Sequence, residues 1–167
     1  LSVVIIGGAP GAGIEKVNDE LARLEELRAD LSIQELVTFQ GAQDQDTLVY
    51  YYSAADMVVM PSHYESFGMV ALEAMACGTP VVASKVGGLT YSVQDGQTGF
   101  LVPERDAEAL AEKVRLLLCD EDLREELGRQ AAQWAHNYGW SAIADQVLDL
   151  YQDVQPLSKS AVAVGSG

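Results

Sequence analysis

The stretch Glu65-Ser66-Phe67-Gly68-Met69-Val70-Ala71-Leu72-Glu73 decides how this chain reads. It follows an apolar run, Met57-Val58-Val59-Met60, and a Pro61-Ser62 stop. It then runs into Ala71-Leu72-Glu73-Ala74-Met75-Ala76-Cys77, a helix of small residues closed by Gly78. A strand, a glycine turn and a helix start set backbone N–H groups at the positive end of a helix dipole, an arrangement suited to phosphate. Glu65 falls in the turn and Glu73 about one helical turn inside, so both acids can face one ligand. The chemistry this suits is a sugar diphosphate, with hydroxyls on the acids and phosphates on the amides.

Outward from this stretch, strands alternate with helices. Ser2-Val3-Val4-Ile5-Ile6 is a continuous β-branched run, which predicts a strand buried on both faces. Leucines at 21, 24, 27 and 31 stripe one face of a helix over residues 15–30. Leu36-Val37-Thr38-Phe39 predicts a second strand. A helix over 45–54 follows, with a polar start at Asp44 and Asp46 and with Tyr50-Tyr51-Tyr52 mostly packing. The strand 57–60, a helix from Gly68, a strand over 80–84, a short helical piece near 89–94 and a strand over 98–102 come next. Three helices close the chain: one capped by Asp106, one over 121–136, and one capped by Ser141 with Ile143, Val147, Leu150 and Tyr151 on a face that reads as core packing. The predicted class is α/β, a Rossmann-like parallel sheet with helices on both faces. Residues 1–155 read as one domain and 156–167, after Pro156, as a disordered tail.

Composition narrows the partners. The chain has 167 residues, 49% of them hydrophobic, enough for a core that buries roughly 70% of the unfolded surface. Ten basic against 25 acidic residues give a net charge of −15, which excludes nucleic acid as an expected partner and disfavours an anionic membrane. No apolar run approaches the ~20 residues of a membrane span. Cys77 and Cys119 are the only cysteines; each reads as a small core hydrophobe in a reducing compartment, consistent with a cytoplasmic protein. No paired Cys or His spacing suggests a metal.

The motifs, in order, carry a resemblance. Phe39-Gln40-Gly41, Ser53-Ala54-Ala55-Asp56, Pro61-Ser62, the Glu-x7-Glu pair, Gly78-Thr79-Pro80-Val81-Val82-Ala83-Ser84, Gly87-Gly88-Leu89 and Asp95-Gly96-Gln97-Thr98-Gly99-Phe100-Leu101-Val102 resemble the retaining GT-B glycosyltransferases of family 4, the glycosyl transferases group 1. The likeness covers roughly residues 1–152 and is nearest the sucrose-phosphate synthase and inositol-phosphate glycosyltransferase branches. It implies the donor-binding, C-terminal half of a GT-B fold and a hexosyl transfer from a nucleoside-diphosphate sugar, of UDP type, to an acceptor hydroxyl with retention. It implies Glu65 as the catalytic, donor-orienting and charge-stabilising acid and Glu73 as the acceptor of ribose hydroxyls. Backbone contacts are implied from Phe67, Gly68, Met69 and Val70, and a loop edging the base from Gly41 and Ala42. No cofactor and no metal are implied, the nucleotide sugar being a substrate. Two other readings stand beside this one: a non-catalytic nucleotide-sugar-binding module, and an epimerase or phosphorylase on the same fold.

The resemblance also implies something missing. Donor domains of this family open one βα unit earlier, with basic residues that grip the diphosphate, so this chain reads as a fragment that is inactive alone. Its acceptor, a sugar or polyol, would belong to an N-terminal domain, against which the last helix would also pack. The absent strand belongs mid-sheet, so the expectation is an open slot with unpaired backbone, or a slot filled by rearrangement or by another copy in a homo-oligomer. Four weaker candidates remain. Gly7-Gly8-Ala9-Pro10-Gly11-Ala12-Gly13 fails both Gly-x-Gly-x-x-Gly and Walker A and reads as a flexible turn near the cleft. His63 and Lys85 read as structural, with an approach to the donor as the alternative for each. Gly87-Gly88-Leu89 resembles a turn on the acceptor side.

Overall fold

The computed structural model of the chain describes residues 1–7 and 14–154, the side chains of residues 14–19 excepted. The glycine loop beyond Gly7 and the tail from residue 155 lie outside the described residues, and with them two of the expectations above. The chain divides into two compact units, Leu1–Leu48 and Val49–Gly167.

In the first unit, β1 (Val3–Ile5) and β2 (Val37–Phe39) pair in parallel, Val4 opposite Thr38. The crossover is α1 (Ile14–Asp30), whose leucine stripe closes over the pair: Leu24, Leu27 and Leu31 line a small apolar cavity of about 120 Å³ with Ile5, Val37 and Phe39. Arg28 fixes the far end. Its guanidinium lies 5.1 Å from the Phe39 ring centre and donates to the Val37 carbonyl at 3.1 Å. One expectation fails here, since Val3, Val4 and Ile5 are 36%, 45% and 37% exposed. The run is strand-forming as read, but among the described residues of its unit the two-stranded sheet is met only by α1 and the turn after it.

Asp44 caps α2 (Gln45–Ala54), accepting from the Thr47 amide at 2.8 Å, and this helix carries the chain from the first unit into the second. There β3 (Val58–Met60), β4 (Val81–Ser84) and β5 (Gly99–Val102) form a parallel sheet in the order β3-β4-β5. The crossovers hold α3 (Met69–Ala76) and the single turn α4 (Leu89–Ser92). Then come α5 (Ala107–Cys119), α6 (Glu121–Ala135) and α7 (Trp140–Val154). Every crossover between consecutive strands contains a helix, as the α/β class requires.

The core of the second unit is dense. Val82 and Leu117 are fully buried and Leu127 nearly so, with Met57, Phe100, Leu110, Val114 and Leu123 packed against them. Each such side chain contributes about 1.5–3 kcal/mol by leaving water. Aspartates open both covering helices: Asp106 accepts from Ala109 N and Asp120 from Leu123 N, each at 2.9 Å. Arg124 ties them together, donating to the Leu117 carbonyl at 2.7 Å while lying 3.4 Å from Asp56.

Other expectations need correction. Ser141 is not the cap of α7. Gly139 is extended (φ −67, ψ 147) and its carbonyl takes the first helical bond, from Ile143 N at 3.0 Å, so the helix starts one residue before Ser141. The apolar face of α7 is not core: no residue of the helix is buried, and Trp140 is 87% exposed. Cys119 ends α5 exposed and Cys77 is half-buried after α3, so neither is a core residue. Among the described residues β1 bonds only to β2, and β3 only to β4, so each keeps a free edge.

Candidate functional site

The Glu65 turn is built by what presses on it. Gly68, the residue before α3, adopts the left-handed conformation (φ 86, ψ 42), which lets the Glu65 turn enter the helix. A Cβ at Gly68 would lie 2.8 Å from Ser92 Oγ and 3.0 Å from Leu89, so the position excludes a side chain on steric as well as conformational grounds. Beneath the turn runs Gly87-Gly88. Gly88 N donates to the Glu65 carbonyl at 2.8 Å. A Cβ on Gly87 would fall 2.0 Å from that same oxygen, and one on Gly88 2.4 Å from Phe67 Cα. The turn between β4 and α4 is therefore the floor of the Glu65 loop.

Glu65 turns its carboxylate back on the helix mouth. Its Oε1 accepts from Gly68 N at 3.2 Å and from Phe67 N at 3.4 Å. Two of the amides read as open to phosphate are thus engaged by the acid itself, just ahead of α3. The first helical bond is Leu72 N to the Gly68 carbonyl at 3.2 Å, so the amides of Met69 and Val70 have no carbonyl behind them in the helix.

Above the turn opens a cleft of about 570 Å³, walled by Tyr64, Glu65, Phe67 and Tyr91 over Gly87 and Gly88. Tyr64 and Tyr91 are 81% and 79% exposed. Phe67 is held edge-on by Tyr138 at 6.0 Å, and Tyr138 in turn by Trp134 at 5.7 Å. Both partners are anchored, Trp134 Nε1 donating to the Ser92 carbonyl at 2.8 Å and Tyr138 Oη to the Tyr91 carbonyl at 3.2 Å. Burial raises the Tyr138 phenol above its ordinary pKa, so it stays a donor.

Glu73 is placed differently. It sits half-buried on α3 between the fully buried Ala74 and the nearly buried Leu72, and it does not line the cleft beside Glu65. It meets Tyr52 instead, whose Oη donates to Glu73 Oε2 at 3.0 Å. Burial first, then the hydrogen bond and charge of Glu73, raise the Tyr52 phenol well above its ordinary pKa. Tyr52 is itself fixed, since Thr79 Oγ1 donates to its carbonyl at 2.6 Å. Taking the three tyrosines together as packing residues missed this contact. Tyr50 is 77% exposed and Tyr52 only 7%, so the helical period singles out Tyr52, and a buried phenol needs a partner.

Gly41 and Ala42 follow β2 in the first unit, both exposed, Gly41 with φ 48 and its carbonyl accepting from Gly7 N at 3.3 Å. His63 points its Nδ1 at Glu104 Oε1, 3.4 Å away. Lys85 is exposed at the end of β4, its amide bonded to the Val102 carbonyl at 2.7 Å. Among the described residues no group of three or more His, Cys, Asp or Glu could hold a metal ion, and no helix is long and apolar enough to cross a membrane.

Comparison with known proteins agrees with this geometry. The chain is 47% identical over 164 residues to a D-inositol 3-phosphate glycosyltransferase of Frankia alni, spanning 98% of this chain and 39% of that protein. It is 44% identical to the Corynebacterium jeikeium protein of the same name, over 93% of this chain and 36% of the relative. Among solved structures, sucrose-phosphate synthase of Thermosynechococcus elongatus superposes with a TM-score of 0.79 at 41% identity, over 93% of this chain and 39% of that one. Anabaena HepE, solved with UDP and glucose, gives 0.79 at 26% identity, over 92% and 41%. The chain thus spans about two fifths of the length of the relatives it matches. The profile of the glycosyl transferases group 1 matches residues 1–134, and the chain belongs to that family.

Proposed function

We propose that this chain is the nucleotide-sugar-binding part of a retaining hexosyltransferase, with Glu65 beside the reacting sugar and Glu73 on the ribose diol. The observation that carries the reading is the Glu65 turn: an acid, a left-handed glycine and a helix mouth held over a glycine floor, opening into a cleft with aromatic walls. In this reading the donor sugar enters the cleft against Tyr64, Phe67 and Tyr91, and the diphosphate meets the amides of Met69 and Val70. The Glu65 bonds to Phe67 N and Gly68 N are at the long end for N–H···O contacts, so exchanging them for donor oxygens costs little. Glu65 then lies near the anomeric carbon, where a carboxylate stabilises positive charge developing as the leaving diphosphate departs. Gly41 and Ala42 would edge the base.

UDP and UDP-glucose in the HepE crystals favour a uridine diphosphate sugar. The acceptor, a sugar or polyol, is assigned to a part of the whole enzyme outside this chain, and no resident cofactor is required. Calorimetric titration of the chain with UDP-, GDP- and ADP-sugars tests the reading: binding in the order UDP first supports it, and equal or absent binding of all three sinks it. In the full-length protein, Glu65→Ala is expected to lower kcat at least 100-fold, the scale of one electrostatic stabiliser, with donor KM little changed. Unaltered turnover would favour a non-catalytic role for this site.

A further inference from the structure

We infer that Tyr52 is a positioning residue for Glu73, holding its carboxylate so that the site distinguishes a vicinal diol from a sugar that lacks one of the two hydroxyls. The inference rests on the proposed role of Glu73 and adds a second residue, from another helix, to it. Tyr52 donates to Oε2 at 3.0 Å from a ring that is 7% exposed. Burial confines its side chain, and its backbone is held by the Thr79 hydroxyl, which donates to the Tyr52 carbonyl at 2.6 Å from a residue that is 3% exposed. The C-terminal turn of α2 is thereby pinned to the segment that follows α3, and the phenol reaches back to the middle of α3.

A carboxylate has about four acceptor positions. One bond from Tyr52 sets the plane of the Glu73 carboxylate and leaves three positions, enough for both hydroxyls of a ribose. Without it, a half-buried glutamate on α3 has several rotamers, and a diol must pay to select one. A single hydroxyl can follow the carboxylate through its rotamers; a pair of hydroxyls at fixed spacing cannot. Burial first, then the hydrogen bond and charge of Glu73, hold the phenol's pKa well above its ordinary value, so Tyr52 remains a donor near neutrality.

The test is the ratio of affinities for UDP and 2′-deoxy-UDP, titrated into the chain and its variants. Tyr52→Phe keeps the ring and removes the donor. It is expected to lower the preference for UDP about three- to tenfold, the size of one ordinary hydrogen bond. A merely structural role would weaken both ligands alike and leave the ratio unchanged. Glu73→Ala should abolish the preference, and Tyr52→Phe added to Glu73→Ala should change nothing further. Absent UDP binding, or a preference that survives Glu73→Ala, overturns the reading of Glu73 and this inference with it. A preference lost in Glu73→Ala but intact in Tyr52→Phe overturns the inference alone. Thermal unfolding of Tyr52→Phe confirms that the titrations report on folded protein.

Discussion

β1 and β4 are written in nearly the same alphabet and end in opposite surroundings. Val3-Val4-Ile5 is between 36% and 45% exposed, whereas Val81, Val82 and Ala83 are fully buried and Ser84 nearly so. The strands differ in their neighbours. β4 is paired on both edges and packed by α3 and α5, while among the described residues β1 is paired on one edge only. An apolar β-branched run thus specifies a strand, and burial is conferred by whatever packs around it. The same contrast divides the site residues: Glu65 stands on a floor of glycine backbone in the second unit, and Gly41 has nothing within 4 Å of a would-be Cβ in the first.

The largest expected effect makes that contrast quantitative. Leu117→Ala empties a fully buried position among Val82 and Leu127 and should destabilise the second unit by about 2–5 kcal/mol, the usual range for a buried leucine. Val4→Ala in the first unit should change stability by less than about 0.5 kcal/mol. Urea titrations of both variants give the comparison. A Val4→Ala cost approaching that of Leu117→Ala would mean that β1 is covered in solution by something its own unit does not supply.

Between these sits the glycine floor. Gly88→Ala sets a methyl 2.4 Å from Phe67 Cα and 2.5 Å from the Ser66 carbonyl. Backbone atoms have no rotamer to retreat into, so the Glu65 loop must move, at about 1–3 kcal/mol. Gly7→Ala, with nothing within 4 Å, is the control in the other unit and should be near neutral. The sharper measurement is UDP-sugar affinity: Gly88→Ala should lose it out of proportion to its stability loss, because the displaced segment holds Glu65 and Phe67. Unchanged affinity in a stable Gly88→Ala variant would detach the cleft from donor binding.

How far the sequence could be read follows from the range of the physics involved. The bounds of α2 and the Asp106 cap were legible, because a cap and a helix are decided within four residues. The strand, glycine turn and helix around Glu65 were legible for the same reason, while the left-handed conformation of Gly68 was not foreseen. Ser141 misled because a serine before an apolar stripe is a good cap signal, and the extended Gly139 two residues earlier outcompeted it. The bond between Tyr52 and Glu73 spans 21 residues, and nothing local in either helix announces it. Glu65 was read as open to ligand. Its bond to Gly68 N is a three-residue capping contact that the spacing allowed, and a ligand-free acid takes the nearest donors. The exposed face of α7 was read as core because periodicity records an apolar stripe and carries no information about what meets it.

The smallest expected effect is electrostatic and belongs to the first unit. Asp44 accepts the Thr47 amide, and that bond holds its carboxyl below the ordinary carboxylate value. A folded-state pKa below the unfolded one means that the cap is fully effective above the unfolded value of about 3.9. Its contribution is lost as pH falls through the folded value. The start of α2 should therefore loosen in acid. A global melt would blur this, since Glu126 in the second unit is lowered too, chiefly by the Gln130 amide. Exchange of the Thr47 amide is the local reporter: protection should hold near neutrality and fall below about pH 4. Asp44→Asn keeps a capping oxygen and removes the titration, so its Thr47 protection should lose this acid-dependent step, once intrinsic exchange is allowed for. The same fall in Asp44→Asn would show that the acid sensitivity of this unit lies elsewhere, and that the cap of α2 is held by geometry alone.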